Sequence, residues 1–271
     1  TAQDGDKVAL DIERVAGDKV KVEIKLNDEA LKDIGNIGLA LSVEDAGVGM
    51  VAVLVNEDGS EEIIKKSVLS DDKMLAIVDG SSTVKLLDKS RSFDDVDDGF
   101  WGQDAVAFAT SRELFLGVSE TEFGTGAAMT RGMFATVLHR LEDAPAGGDA
   151  SFDDVDADSW YAEAVSWAAE NEVVTGTGDS FNPGANVTRE EIALILYRYA
   201  IHVGLNTGAQ DNISQFNDAD QIADWASDAL NWAVGSGLMQ GKDNNILDPA
   251  GHATRTEVAA MLQRLITKIV M

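Results

Sequence analysis

The sequence predicts an α+β protein, in which an all-β N-terminal domain precedes an all-α domain built from three repeats. Residues 7–88 alternate apolar and polar side chains with the two-residue period of a β-strand. From Ser92 onward the period is helical, and the sequence repeats itself about every 60 residues. The change from a strand pattern to a repeated helical pattern indicates a β domain followed by an α-helical domain.

The N-terminal domain is predicted to span residues 1–90. Val20, Val22, Ile24 and Leu26 show the alternation most clearly, and turn residues at 16–18, 56–60 and 79–81 divide the segment. We expect roughly six to eight short strands, arranged as a meander or a small sandwich. Residues 29–34 are the exception and predict a helical turn.

The helical half contains three copies that align position by position, over residues 91–145, 150–204 and 214–271. Each copy has an opening Phe, a Trp before its first helix, a Gly after that helix, a Thr-Arg pair and a second helix with another Arg. In order, these residues are Phe93, Phe152 and Phe216; Trp101, Trp160 and Trp225; Gly117, Gly176 and Gly241; Thr130-Arg131, Thr188-Arg189 and Thr254-Arg255; and Arg140, Arg198 and Arg264.

The second helix of each copy carries one apolar stripe, with the i, i+3, i+4, i+7 spacing seen at Ile192, Ile195, Leu196 and Tyr199. A helix of this kind cannot bury its stripe alone. Three such stripes facing one axis would bury each other, so we expect a central three-helix bundle with the first helices around it.

The Thr-Arg pairs begin these helices. Thr188 with Glu191, and Thr254 with Glu257, have the spacing of a capping box. The first copy has Met133 at the position of that Glu, so its cap should be weaker.

Composition excludes several classes of partner. The chain carries 21 Lys and Arg against 48 Asp and Glu, a net charge of −27, which repels nucleic acid and anionic lipid surfaces. It has no run of about 18 apolar residues and no Cys, so neither membrane insertion nor a disulfide is expected. Because the start has no initiator Met and no signal-peptide pattern, we expect a fragment or a processed form of a longer protein.

Arginine is scarce in the repeats and used periodically. From Ser92 onward there are 9 Lys and Arg against 29 Asp and Glu, and six of the nine are the paired repeat arginines. A cation at the first helical position opposes the helix dipole, so it needs a specific partner. That partner is either a carboxylate of a neighbouring repeat, such as those in Asp94-Asp95 or Asp153-Asp154, or an anionic ligand. For Arg140, Arg198 and Arg264 the internal partner is favoured.

All five tryptophans lie in the repeats. Trp167 and Trp232 align with Phe108 on the first helices and are predicted to be core residues. Two interpretations remain open for Trp101, Trp160 and Trp225: they wedge the repeats together, or they stack on a sugar ring.

These motifs resemble the S-layer homology domain. Copy two carries them most fully, with Phe152, Asp154-Val155, Gly176-Thr177, Phe181-Asn182-Pro183 and Thr188-Arg189-Glu190-Glu191. Copy three has Leu247 in place of the Phe, and copy one has Thr125 in place of the Pro. The N-terminal residues resemble the β-rich segment that precedes such repeats in clostridial-type surface proteins.

The resemblance implies a pseudo-threefold arrangement whose inter-repeat grooves bind secondary cell-wall polysaccharide, often pyruvylated. It implies no catalytic residue and a position outside the cell, in the bacterial wall or S-layer. The predicted polysaccharide-binding residues are Arg131, Arg189, Arg255, Trp101, Trp160, Trp225, Asp158, Gly117, Gly176, Thr177 and Gly241. The grooves containing Arg189 and Arg255 are expected to be the strongest.

Alternative functions are a calcium-dependent, self-assembling or adhesive surface module, and the accessory anchor of an upstream extracellular glycoside-degrading enzyme. Asp154, Asp156 and Asp158 begin like an EF-hand loop, but Ser159 stands where Gly is required and Val165 where the closing Glu belongs. We therefore expect no cofactor and favour solvated loops over a Ca²⁺ site. S-layer self-association is a further expected partnership.

The charge of the repeats predicts how binding responds to salt. With a net charge of −20, they repel an anionic wall polymer at long range, so attraction must come from short-range contacts. Titration of the chain with pyruvylated wall polymer at rising ionic strength should show affinity that holds or improves. A steep loss of affinity would contradict this expectation.

Overall fold

The structure is a computed structural model that describes residues 8–15, 19–44, 46–148 and 152–271. The chain forms two compact units. The first contains the described part of residues 1–92 with residues 107–116 and 266–271, and the second contains residues 93–106 and the described part of 117–265. The predicted turn at residues 16–18 lies outside the described residues.

The described N-terminal residues form two antiparallel sheets. One has the order β1-β2-β9-β5-β6, with β3 added beside β2, and the other has the order β4-β8-β7. The strands are β1 Val8–Val15, β2 Lys19–Leu26, β3 Glu29–Ala30, β4 Lys32–Ser42, β5 Met50–Val55, β6 Glu61–Ile63, β7 Ser67–Ser70, β8 Lys73–Gly80 and β9 Ser82–Asp88.

The two sheets share one apolar core, as the alternating pattern predicts. Val22 of β2 and Val84 of β9 are buried from the first sheet, and Met74, Ala76 and Val78 of β8 are buried from the second. Alternate residues of a strand point to one face, so each sheet has one apolar face to contribute. The β-rich prediction is confirmed.

The helical turn predicted at residues 29–34 is wrong. Asn27 and Asp28 adopt positive φ angles of 52° and 72°, and Leu26 pairs with Glu29 across them. This two-residue reversal starts β3, and β4 begins at Lys32. Two consecutive left-handed residues close a tight hairpin, and the resulting strand pairing overrides the weak local helix preference.

The repeats contain six α-helices among the described residues, two in each copy. They are α1 Gln103–Ser111, α2 Arg131–Leu141, α3 Ala162–Glu170, α4 Arg189–His202, α5 Ser227–Gly235 and α6 Arg255–Val270. The capping box of α4 is complete, with Thr188 Oγ1 accepting from the Glu191 amide and Glu191 accepting from the Thr188 amide. Among the described residues no helix is long and apolar enough to cross a membrane.

The α6 start repeats this box with Thr254 and Glu257. Copy one has the weaker form predicted: Thr130 Oγ1 accepts from the Met133 amide at 3.3 Å, and Met133 offers no carboxylate in return.

The three closing helices begin at one cyclic set of backbone hydrogen bonds. The Met129 amide donates to Ala253 O at 2.9 Å, the Ala253 amide to Val187 O at 3.2 Å, and the Val187 amide to Met129 O at 2.9 Å. These three residues hold equivalent positions just before the Thr-Arg pairs. Each repeat therefore contacts both of the others at this point.

The apolar stripes of the closing helices are buried, as predicted. Phe134, Ile192 and Val258 are each fully buried, and so are Leu138 and Leu262 farther along two of the helices. The second helix of one copy packs on the first helix of the next, α2 against α3 and α4 against α5. Consecutive repeats thus share their cores.

Candidate functional site

One aspartate near the start of each copy organises the loop that follows the first helix. In copy two, Asp154 accepts backbone N–H groups of Phe181 and Asn182 at 2.7 and 2.6 Å. Asp95 and Asp218 do the same in copies one and three. The pKa of Asp154 is lowered mainly by the hydrogen bond from the Phe181 amide, and further by that from the Asn182 amide and by the charge of Arg131. Desolvation of the carboxylate opposes the shift.

The helix-start arginines reach out of their own repeats. Arg131 of copy one enters copy two, where Nε donates to Phe181 O at 2.8 Å, Nη2 to Thr175 O at 3.0 Å and Nη1 to Glu191 at 2.9 Å. The guanidinium also stacks on the Phe181 ring, 4.7 Å from its centroid. One side chain therefore satisfies two loop carbonyls and a carboxylate of the next repeat.

Arg189 makes the same set of contacts from copy two into copy three. Nε donates to Leu247 O at 2.8 Å, Nη2 to Gln240 O at 2.7 Å and Nη1 to Glu257 at 3.3 Å. Its side chain is only 3% exposed. Burial lowers the pKa of Arg189, while the carboxylates of Glu257, Asp248 and Asp218 favour its charged form.

Arg255 continues the series from copy three back to copy one. Its Nε donates to Phe123 O at 2.9 Å, and its guanidinium lies 4.8 Å from the Phe123 ring centroid. The position of Glu191 and Glu257 is occupied here by Met133. The three arginines thus link the copies in a cyclic order, from one to two, two to three and three to one.

The arginines do have carboxylate partners in the neighbouring repeat. Arg131 and Arg189 form ion pairs with the capping-box residues Glu191 and Glu257 rather than with the aspartates given as examples. Asp154 and Asp95 interact with Arg131 and Arg255 through their charges without forming an ion pair. The capping glutamate points one oxygen back to its own helix start and the other to the incoming guanidinium. Asp154 instead holds the loop whose carbonyls receive Arg131.

The predicted glycines are required by close packing. A Cβ at Gly176 would lie 2.5 Å from the Phe152 ring and 2.6 Å from Ser180 O. Gly117 and Gly241 are equally crowded by backbone oxygens and by the opening Phe of their repeats. Thr177 forms a backbone bridge with Ser180 in the same loop, and the amide of Asp158 donates to Asp156 in an exposed turn.

The tryptophans divide as the alignment predicts. Trp167 and Trp232 are buried. Trp101, Trp160 and Trp225 are exposed by 63, 63 and 52%. Exposure on this scale is unusual for indole, because it leaves a large apolar face in water.

A surface pocket of about 170 Å³ brings together predicted residues from all three copies. Trp101 comes from copy one, Arg189 from copy two and Gly241 from copy three. The lining also includes Lys242, Glu257 and Arg264. Copy three thus supplies most of the pocket wall, while copy one contributes the exposed indole of Trp101 and copy two contributes Arg189.

The sequence interpretation missed Lys242 as a site residue and favoured an internal role for Arg264. Lys242 Nζ lies 2.7 Å from Asp248 and 3.7 Å from Glu257, and Arg264 Nη1 donates to Leu238 O at 2.9 Å. The lining carries three cations and one carboxylate in a region of net charge −20. Lys242 follows Gly241 directly, and the aligned copies have Thr177 and Val118 at this position. A cation found in copy three alone could therefore have pointed to Lys242 from the sequence.

Comparison with known proteins places the repeats in a family. The S-layer homology domain matches residues 92–135, 151–193 and 215–259. The chain is 32% identical to "Exoglucanase XynX" of Acetivibrio thermocellus over 68% of the chain and 17% of that protein. It is 31% identical to "Amylopullulanase" of Thermoanaerobacterium thermosulfurigenes over 66% of the chain and 10% of that protein.

A third relative is the "Surface-layer 125 kDa protein" of Lysinibacillus sphaericus, 28% identical over 62% of the chain and 14% of that protein. The chain therefore spans a small part of each relative. The family and its S-layer relatives indicate an extracellular position in the cell wall or S-layer, which confirms the predicted location.

The contacts of Arg189 predict a stability effect. Arg189→Ala would leave two loop carbonyls without their donor and remove the ion pair with Glu257, at an expected cost of about 2–4 kcal/mol. Thermal unfolding followed by circular dichroism should show a clear drop in the melting temperature. Lys268→Ala, an exposed change on α6, serves as the control and should cost less than about 0.5 kcal/mol. Equal stability of the two variants would show that the guanidinium does not hold the repeats.

Proposed function

The chain is an S-layer homology domain protein with three such domains, and we propose that it anchors its parent protein to the bacterial wall by binding an acidic secondary wall polysaccharide between the repeats. The domain is a non-catalytic anchoring module. A protein that only binds its ligand needs a site with an exposed aromatic ring and cations. It does not need the paired nucleophile and base of a catalytic site.

The pocket lined by Trp101, Arg189, Gly241, Lys242, Glu257 and Arg264 is the observation that carries this proposal. Arg189 and Lys242 are paired with Glu257 and Asp248, whereas Arg264 makes no ion pair among the described residues, so the lining keeps one cation that favours an anionic ligand. The exposed indole offers apolar area to the C–H face of a pyranose ring. An acidic sugar such as a pyruvylated one satisfies both requirements.

The cyclic contacts support a pseudo-threefold arrangement of repeats 91–145, 150–204 and 214–271, with the closing helices as a central bundle. In that arrangement Arg131 and Gly176-Thr177 contribute to one groove, Arg189 and Gly241 to the second, and Arg255 and Gly117 to the third. Trp101, Trp160, Trp225 and Asp158 are the proposed contacts to sugar. The arginines contribute chiefly by shaping the groove walls, because their guanidinium groups are bound to the neighbouring repeat.

A second candidate for the parent protein is a wall-bound glycoside-degrading enzyme. This second candidate is favoured by the names of two relatives, an exoglucanase and an amylopullulanase, which match over the region of the repeats. Calcium-dependent self-assembly has no comparable observation in its favour. Within the described part of the chain, no group of three or more His, Asp or Glu side chains is placed to hold a metal ion.

A pull-down with isolated sacculi tests the anchoring role. The whole chain should bind intact sacculi and lose binding once the non-peptidoglycan polymer is removed. Trp101→Ala should weaken binding roughly tenfold because an exposed stacking surface is lost, whereas the core change Trp167→Phe should not. Equal binding to stripped sacculi would move the target to peptidoglycan and contradict the proposal.

A further inference from the structure

Arg112, which directly follows α1, is a buried cation outside the pocket described above. Its side chain is fully buried, and no ion pair among the described residues includes it. Burial lowers the pKa of its guanidinium to about 9. Burying a charge without a carboxylate is costly unless hydrogen bonds satisfy its donors. The contacts of Arg112 must therefore compensate for its burial.

Every nitrogen atom of the Arg112 guanidinium donates to a protein oxygen. Nη1 donates to Phe108 O at 3.3 Å and to Ser111 Oγ at 3.1 Å, both in α1. Nε donates to Ser67 O of β7 at 2.8 Å, and Nη2 donates to Met50 O of β5 at 3.3 Å. The guanidinium carbon also lies 3.8 Å from the centroid of the Phe108 ring. One side chain therefore joins the end of α1 to one strand from each sheet.

Ser67 O is a carbonyl that strand pairing leaves open. β7 is the outer strand of its sheet, and the O atom of the preceding residue, Lys66, accepts the Ile77 amide of β8 at 3.0 Å. Consecutive residues of an antiparallel strand direct their backbone polar groups to opposite sides, so Ser67 O points away from β8. Ser67 is fully buried, and a buried carbonyl without a donor is costly. Arg112 supplies that donor.

Met50 O is the corresponding carbonyl of the other sheet. The Lys89 amide donates to Gly49 O at 3.0 Å, so Met50 O points away from β9, to the side on which β6 lies. β6 has three residues, and its register with β5 covers residues 53–55. Met50 lies beyond this register, and Arg112 donates to it there. The end of α1 thus covers an open position in both sheets with one guanidinium.

Arg112 is particular to copy one. The aligned residues at the ends of the first helices are Asn171 in copy two and Ser236 in copy three. Asn171 Nδ2 donates to Trp167 O at 2.8 Å, just as Arg112 Nη1 donates to the aligned Phe108 O. Ser236 also bonds to its own helix. All three side chains cap the helix that they follow, and the contacts of Arg112 with the strands are an addition that the shorter side chains do not make.

We propose that the two β-sheets and the end of α1 form one cooperative folding unit, in which Arg112 is the positioning residue that joins them. Residues 107–116 belong to the same compact unit as the described strands. Copy one has the weaker cap at Thr130, with Met133 in place of the capping glutamate. The β-sheets therefore support the most divergent repeat, and this coupling does not depend on what the repeats bind.

Native-state hydrogen exchange of the whole chain at rising denaturant concentration tests the coupling. The reporter amides are those of Ile64, Ile77 and Leu114, which donate to β5, to the residue before β7 and to α1. In the unmodified chain, all three should open with the same free energy and the same dependence on denaturant, because residues of one cooperative unit open together.

Arg112→Asn installs the copy-two residue. It keeps a donor for Phe108 O and removes the donors for Ser67 O and Met50 O, so exchange at all three reporter amides should accelerate by the same factor, roughly tenfold to hundredfold. The matched control Asn171→Ala removes the cap donor of α3, and it should change exchange at the same amides by less than about threefold.

Different opening free energies at Leu114 and at the two strand amides of the unmodified chain would overturn the proposal, whether or not the variant folds. Acceleration by Arg112→Asn at Leu114 alone would reduce Arg112 to a helix cap and would also overturn it. An equal effect of Asn171→Ala on the strand amides would show that the junction at Arg112 is not specific. None of these results depends on wall binding, which the sacculus pull-down tests separately.

Discussion

The guanidinium at the start of each closing helix lies inside the next repeat, and the arrangement of the repeats depends on this contact. The irregular loop of each copy has carbonyl groups that no strand or helix satisfies, and Arg131 and Arg189 each donate to two of them. Removing such donors would leave buried acceptors unpaired, which is costly. The same arginine also neutralises the capping glutamate of the next helix. The helix start in one repeat and the loop of the following repeat therefore stabilise each other through the arginine.

This contact explains why the repeats place scarce arginines at helix starts, where the helix dipole disfavours a cation. The repeats have few positive charges, and those of the Thr-Arg pairs are used to join repeats. The second arginine of the last closing helix, Arg264, donates to Leu238 O and makes no ion pair among the described residues. In copy three, Arg264 lies with Lys242 beside the exposed ring of Trp101. Cohesion between the repeats thus depends on the first arginine of each closing helix.

Much of the fold could be predicted from local patterns. The alternation of apolar and polar residues predicted the strands, and the turn residues at 56–60 predicted the β5–β6 hairpin. Helical spacing of apolar residues predicted the buried faces of α2, α4 and α6. Three features could not be read in this way. The reversal at Asn27-Asp28 depends on strand pairing, and Leu10 and Ile12 are exposed although their strand alternates regularly. The pocket joins residues that are distant in sequence, so only the folded chain shows that Trp101 lies near Arg264.

The central claim is that the three repeats close on one another through equivalent contacts, and the amides of Met129, Val187 and Ala253 report on it directly. Each donates to the carbonyl of another repeat, so none can exchange unless the ring of contacts opens. Native-state hydrogen exchange should show similar, high protection for all three, close to that of the most protected amides in α4. Rapid exchange at any one of them, with the other two protected, would mean that the ring is open and would contradict the account.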